Sequence, residues 1–489
     1  MPARGRSCGG GRTASPSRAP RPDEDEDEDE GGRSAAVTTM VAFVLVLGIL
    51  ILVHEFGHFL VARLAGVGVE RFSIGFGPVL WRYRGPQTEY CLSAFPLGGY
   101  VKMMGDDENP VEGGKTGEVD PARAFNNKPL PVRFLIVFAG PAMNGVLAAV
   151  IFALVFMIMG RPVAPATIGR VTDGGPAAQA GLRIGDRIVA VDGRPVQYWE
   201  DVVRAVQDLR GETIQFTVKS DAGERKIGVT PVKTKVRDLF GDERDVWDIG
   251  ARPFAAPVIG EVLSGMPAAV AGLKSGDIVV AIEGTPVRTW DDLAESIHKR
   301  PGQPTRLDVK RGPETLAVSV TPNAMKDRGP DGKEIEVGRI GISPAAATTF
   351  VRSNPVAALW EGTVRTAEVT ELTAVGLYKI AVGQLDRRNI GGPIQIAVTA
   401  GEQARQGLPS LAFFTAVISV NLFILNLLPV PMLDGGHLLF FVCEAVLGRP
   451  LSVRKREVAQ RVGFVLLMLL MVYAVYNDLD RIGLFKIFR

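Results

Sequence analysis

Residues 40–62 read MVAFVLVLGILILVHEFGHFLVA, an apolar run that carries two histidines and a glutamate before Arg63 closes it. At about 1.5 Å per residue, a helix of that length spans roughly 34 Å, enough to cross a bilayer. A signal peptide would end in a small-residue cleavage site, whereas this run continues through His54, Glu55 and His58. A charge at mid-bilayer costs about 2.5–3.5 kcal/mol on insertion scales, so an ionisable cluster in a spanning helix points to function. His54 lies about 21 Å along such a helix and about 13 Å before Arg63, so a water-filled cavity has to reach it within the bilayer.

His54-Glu55-Phe56-Gly57-His58 is an HExxH pattern. Positions i and i+4 on a helix are about 40° apart, so both imidazoles face one way and can grip one Zn²⁺. Glu55 is about 60° round from His58, close enough to act on the metal's water. In that arrangement zinc lowers the pKa of water toward ~7 and polarises a scissile carbonyl. Glu55 takes the proton and delivers it to the leaving amine.

Working outward, residues 1–39 form a low-complexity tail, with an acidic run from Asp23 to Glu30, and are expected to be disordered. Residues 134–159 hold no charge and read as a second span. Residues 409–447 read as a third span, broken by the prolines of NLLPVPMLDGGH, and residues 462–478 as a fourth. The fold class is therefore a four-span α-helical membrane protein. The segment 63–133 carries nine basic residues and the connection 448–461 five. The positive-inside rule puts both on the cytoplasmic side and the long 160–410 segment outside. Six arginines in the tail pull the other way.

That outer segment contains a repeat. PAAQAGLRIGDRIVAVDGRPVQYWEDV at 176–202 matches PAAVAGLKSGDIVVAIEGTPVRTWDDL at 267–293, with a constant offset of 91 between Asp186 and Asp277 or Trp199 and Trp290. Two copies are too few for a solenoid, so the reading is two small α+β domains, at 165–235 and 256–323. They resemble PDZ domains, which accept an extended peptide or a C-terminus at a sheet edge. An amphipathic segment, 344–408, leads to the third span.

Lys plus Arg number 55 and Asp plus Glu 53, a balance that argues against a nucleic-acid partner. The three cysteines are far apart and form no CxxC pair, so a metal must be held by His and carboxylate. A catalytic zinc needs a third protein ligand. His298 falls in the second PDZ-like domain and reads as a surface histidine. Asp434, beside a helix broken by Pro429 and Pro431 and a turn at Gly435-Gly436, is the better placed candidate, and His437 is its rival.

HEFGH (54–58) and NLLPVPMLDGG (426–436) together resemble the paired motifs of the site-2 protease family, intramembrane zinc metalloproteases whose bacterial branch has four spans and tandem PDZ domains. The resemblance covers 40–489. It implies zinc bound by His54, His58 and Asp434, with Glu55 as the base. It implies a β-rich re-entrant element from FSIGFGP (72–78) and FPLGGYVKM (95–103). There Gly98 and Gly99, with Asn426, would contact an extended substrate. Gly140-Pro141-x-x-Asn144 matches a further family motif, with substrate contact at Asn144 set against plain packing around a helix kink. IGGPIQIA (390–397) matches a short family segment before the third span. The implied activity is hydrolysis within the spans of single-pass proteins already trimmed outside, such as anti-sigma factors and signal-peptide remnants, in a bacterial inner membrane. A PDZ membrane scaffold without chemistry is the alternative. Loss of Glu55 or Asp434 would favour it, and both are present.

Overall fold

The computed structural model describes residues 22–105, 120–220, 223–238, 240–263, 265–328, 334–345, 349–385 and 390–483. The chain divides into two compact units: Met1–Ala153 with Leu359–Arg489, and Leu154–Ala358.

In the first unit, helix α1 (Pro22–Leu64) carries the HExxH run and α2 (Leu130–Ile158) follows it. Two more long helices, Leu408–Leu427 and Val453–Arg481, complete four among the described residues that are long and apolar enough to cross a membrane, the α1 portion being Ser34–Leu64. The expected tail meets the described helix over Ser34–Thr39; the side chains of residues 22–33 and all of residues 1–21 lie outside the described residues. The last helix likewise begins nine residues before the expected span, because VRKREVAQR is made largely of good helix formers.

The third span ends at Leu427, and a new helix, Asp434–Leu447, opens after the proline turn. The expected segment before that span consists of two helices, Pro355–Ala381 and Pro393–Gln406. The second is capped from the last span: the Gly392, Ile394 and Gln395 amides donate to the Asp478 carboxylate at 2.8, 3.1 and 3.1 Å. A buried carboxylate is well placed there, since the first N–H groups of a helix have no partner of their own.

Between α1 and α2, strands β1 (Val69–Arg84) and β2 (Glu89–Met103) each bend. Phe72 pairs with Val101 on one side and Tyr90 on the other, and Tyr83 also pairs with Tyr90, so two strands give a curled four-stranded sheet. Gly75 and Gly77, at φ 89° and 84°, make the bend in β1, where a side chain at Gly75 would press on the Ser93 and Phe95 carbonyls. Phe72, Val101 and Met103 pack with Ala62, Ile136 and Phe441, which seats this sheet on the helices around HExxH.

The second unit contains two modules whose strands repeat at the same offset of 91. Ile188 and Phe216 are fully buried in the first, and Val279 and Leu307 in the second. Each four-stranded sheet is crossed by a helix, Trp199–Asp208 or Trp290–His298. The tight turns have φ > 0 at both central residues, Asp192-Gly193 and Glu283-Gly284, as a two-residue hairpin requires. Both modules run past the expected ends at 235 and 323. Ala251–Pro253 returns to pair with Ile168–Val171, and Ile342–Pro344 with Ile259–Val262. Those closing strands are three residues long, too short for alternation to reveal them.

The buried Asp186 and Asp277 of the repeated Gly-Asp turns bind the turn amides of Arg183 and Lys274. Arg311 donates to Asp277 through Nε and Nη2, both at 2.7 Å, and holds its carboxyl below the ordinary 3.8. A depressed folded pKa means that this stabilisation is complete above the ordinary value and lost as pH falls through the folded one. Asp277→Ala is expected to reduce amide-exchange protection of Ile278–Ile282 by about 10- to 100-fold at neutral pH, the worth of a hydrogen bond to a charged group. The gap to wild type should shrink in strong acid; hydrogen exchange on the whole chain reads both.

Candidate active site

His54 and His58 occupy successive turns of α1, and their Nε2 atoms are 3.3 Å apart. Asp434, 376 residues beyond His58, opens the helix after the proline turn. Its Oδ2 is 3.0 Å from His54 Nε2, and its Oδ1 is 3.5 Å from His58 Nε2. These three side chains form a group able to hold a metal ion. A tetrahedral ion with bonds of about 2.0–2.1 Å spaces its ligands about 3.3 Å apart. The three observed separations bracket that value, so this donor set fits zinc. His58 Nδ1 donates to the Ile136 carbonyl at 2.9 Å, which leaves its Nε2 bare for a metal. His437 does not join the group; its ring lies edge-on to Phe440 on the cavity wall.

Close backbone approach makes the geometry possible. A side chain at Gly57 would overlap the Ala139 carbonyl and meet Met143, and one at Gly140 would overlap the His58 imidazole. These two glycines let α1 and α2 touch, as small residues do between membrane helices. Around Asp434, the turn is held by Val430 N–H to the Leu428 carbonyl at 2.7 Å and Leu433 N–H to the Val430 carbonyl at 3.0 Å. Met432 is held at φ 102°, a strained backbone for a residue with a side chain. Gly435 and Gly436 pack where any Cβ would strike the 427–431 backbone, so Asp434 is pressed toward α1.

A cavity of about 350 Å³ opens on this cluster, lined among others by Glu55, Gly99, Asn426 and Arg133. Glu55 therefore lines the same cavity as His54, His58 and Asp434. Strand β2 crosses directly over it: a Cβ at Gly99 would lie 3.0 Å from Glu55 Cγ. Gly98 instead faces the Phe76 ring, where a side chain would overlap it. Asn144, the other candidate for substrate contact, is fully buried, with Nδ2 placed 3.2 Å from His54 Nδ1. Sequence reasoning did not find the Ile136 carbonyl, the close approach of Gly57 to Ala139 and of Gly140 to His58, or the Arg133–Glu444 ion pair of 2.6 Å. The glycine inside HEFGH and the Gly140-Pro141-x-x-Asn144 motif hinted at the second of these alone.

The family model for Peptidase family M50 matches residues 42–470. Regulator of sigma-E protease RseP of Salmonella typhimurium (strain 14028s / SGSC 2262) is 38% identical over 459 residues, covering 91% of this chain and 98% of that protein. The protein of the same name from Escherichia coli (strain K12) is 37% identical over 459 residues, covering 91% and 98%. Protease RseP of Yersinia pestis is 37% identical over 456 residues, covering 91% and 99%. With the match reaching from the first of the four apolar helices into the last and including both motifs, the chain belongs to peptidase family M50, the site-2 type of intramembrane metalloprotease.

Proposed function

We propose that His54, His58 and Asp434 hold one zinc ion and that Glu55 is the general base of an endopeptidase that cuts peptide bonds inside the membrane. The carrying observation is the convergence of three ligand atoms from segments far apart in sequence, beside Glu55, within an apolar helix. Bound zinc supplies a Lewis acid and an activated water at neutral pH. Glu55 accepts the proton and passes it to the leaving amine. The β2 edge at Gly99 and Asn426, both lining the cavity, would hold the substrate extended, exposing the peptide bond that a helix hides. A scaffold without chemistry is disfavoured, because Glu55 is retained beside a complete ligand set.

The substrates we assign are single-pass membrane proteins whose outer part has been removed, anti-sigma factors and signal-peptide remnants among them. The relatives' name, regulator of sigma-E protease, fits the first class. The basic connections support a topology with the ligand end of α1 toward the cytoplasm and the PDZ-like modules outside a bacterial inner membrane. In the second module a cavity of about 460 Å³, lined by Met266, Trp290, Leu293, Ile297 and Gly341, suits a peptide end. The test is cleavage in lipid vesicles. A single-pass substrate lacking its outer domain should be cut in a zinc-dependent way, and the same substrate with a folded outer domain should be cut at least about tenfold more slowly. Equal rates for both, or cleavage that survives removal of zinc, would overturn the reading.

A further inference from the structure

Asn144 has a task that substrate contact does not describe. On α2, Ile136, Gly140 and Asn144 are spaced by four, so they form one stripe, and this stripe faces HExxH: the Ile136 carbonyl meets His58 Nδ1, Gly140 underlies the His58 ring, and the Asn144 carboxamide meets His54 Nδ1. The Asn144 side chain is fully buried, and the other end of its amide, Oδ1, has no hydrogen-bond partner among the described residues. The Asn144 backbone is pinned as well, its carbonyl accepting from Ser419 Oγ at 2.7 Å.

The two amide ends of an asparagine are told apart only by their surroundings. An NH₂ donating to His54 Nδ1 would leave the imidazole proton on Nε2, the atom aimed at His58 and Asp434. A protonated Nε2 cannot bind a metal. With the oxygen toward His54 instead, Nδ1 carries the proton and Nε2 presents its lone pair to the cluster. His58 is already in that state, because the Ile136 carbonyl can only accept. We propose that Asn144 is a positioning residue that accepts from His54 Nδ1–H, so that one stripe of α2 sets the tautomer and ring orientation of both histidine ligands. This rests on the zinc-site reading above.

The test is zinc affinity of the full-length chain by chelator competition, together with the visible spectrum of the cobalt-substituted form. Asn144→Leu, which has no acceptor, should bind zinc about 10- to 100-fold more weakly, the usual effect of losing an outer partner of a histidine ligand. Asn144→Asp, which keeps an acceptor, should bind at least as tightly as wild type and keep its cobalt spectrum. If Asn144→Leu does not fold, Asn144→Ala takes its place with the same expectation. Zinc affinity unchanged in Asn144→Leu, or a raised KM with unchanged affinity, would overturn the proposal, the latter returning Asn144 to substrate contact. Failure of wild type itself to bind one zinc per chain would instead refute the zinc site.

Discussion

Glu55→Gln should cut a truncated single-pass substrate about 10²- to 10⁴-fold more slowly than wild type, the usual contribution of a general base, while one zinc per chain remains bound. Glutamine keeps the size of the side chain, so β2 at Gly99 still passes over it and the two histidines on the same helix keep their places. What it loses is the basic carboxylate that accepts the proton of the attacking water, since an amide oxygen accepts hydrogen bonds but is too weak a base. Retained zinc with lost cleavage therefore separates the base from the ligands. The measurements are cleavage in vesicles and metal content by mass spectrometry. Full activity in this variant would remove Glu55 from the mechanism.

Asp434→Ala should abolish cleavage and weaken zinc binding by more than about 100-fold, beyond the 10- to 100-fold typical of losing a hydrogen-bond partner of a ligand. Asp434 supplies both carboxylate contacts to the histidine pair, at 3.0 and 3.5 Å, and two histidines alone leave a zinc site half built. His437→Ala is the control. Its ring stacks edge-on with Phe440 outside the ligand group, so zinc should stay at one per chain. Loss of zinc in His437→Ala with retention in Asp434→Ala would exchange the two assignments.

Several expectations met the structure differently, each for a physical reason. Both PDZ-like modules end later than their alternating strands indicated, at Pro253 and Pro344, since a three-residue closing strand has no readable period. Asn144 could be placed only between packing and substrate contact, because its role depends on which face of α2 meets α1. That face is chosen by Gly57 and Gly140, two residues with no side chain to show it.

The local chemistry needed no tertiary information. An apolar run long enough to cross a bilayer, two histidines one turn apart and an adjacent glutamate together imply a metal and a base on one helix face, because helical spacing is a property of the backbone alone. The repeat at an offset of 91 likewise announced two similar modules. Closure of the site was different. Which of Asp434 and His437 turns inward depends on the strained backbone at Met432 and on the packing of Gly435 and Gly436 against the proline turn. How the imidazoles are held depends on the register of α2 against α1. Both are contacts between segments far apart in the chain, and no pattern in either segment specifies its partner. The sequence alone therefore pointed to a metal-binding pair and an adjacent carboxylate on the first span; only the tertiary structure brought Asp434 beside that pair and α2 behind it.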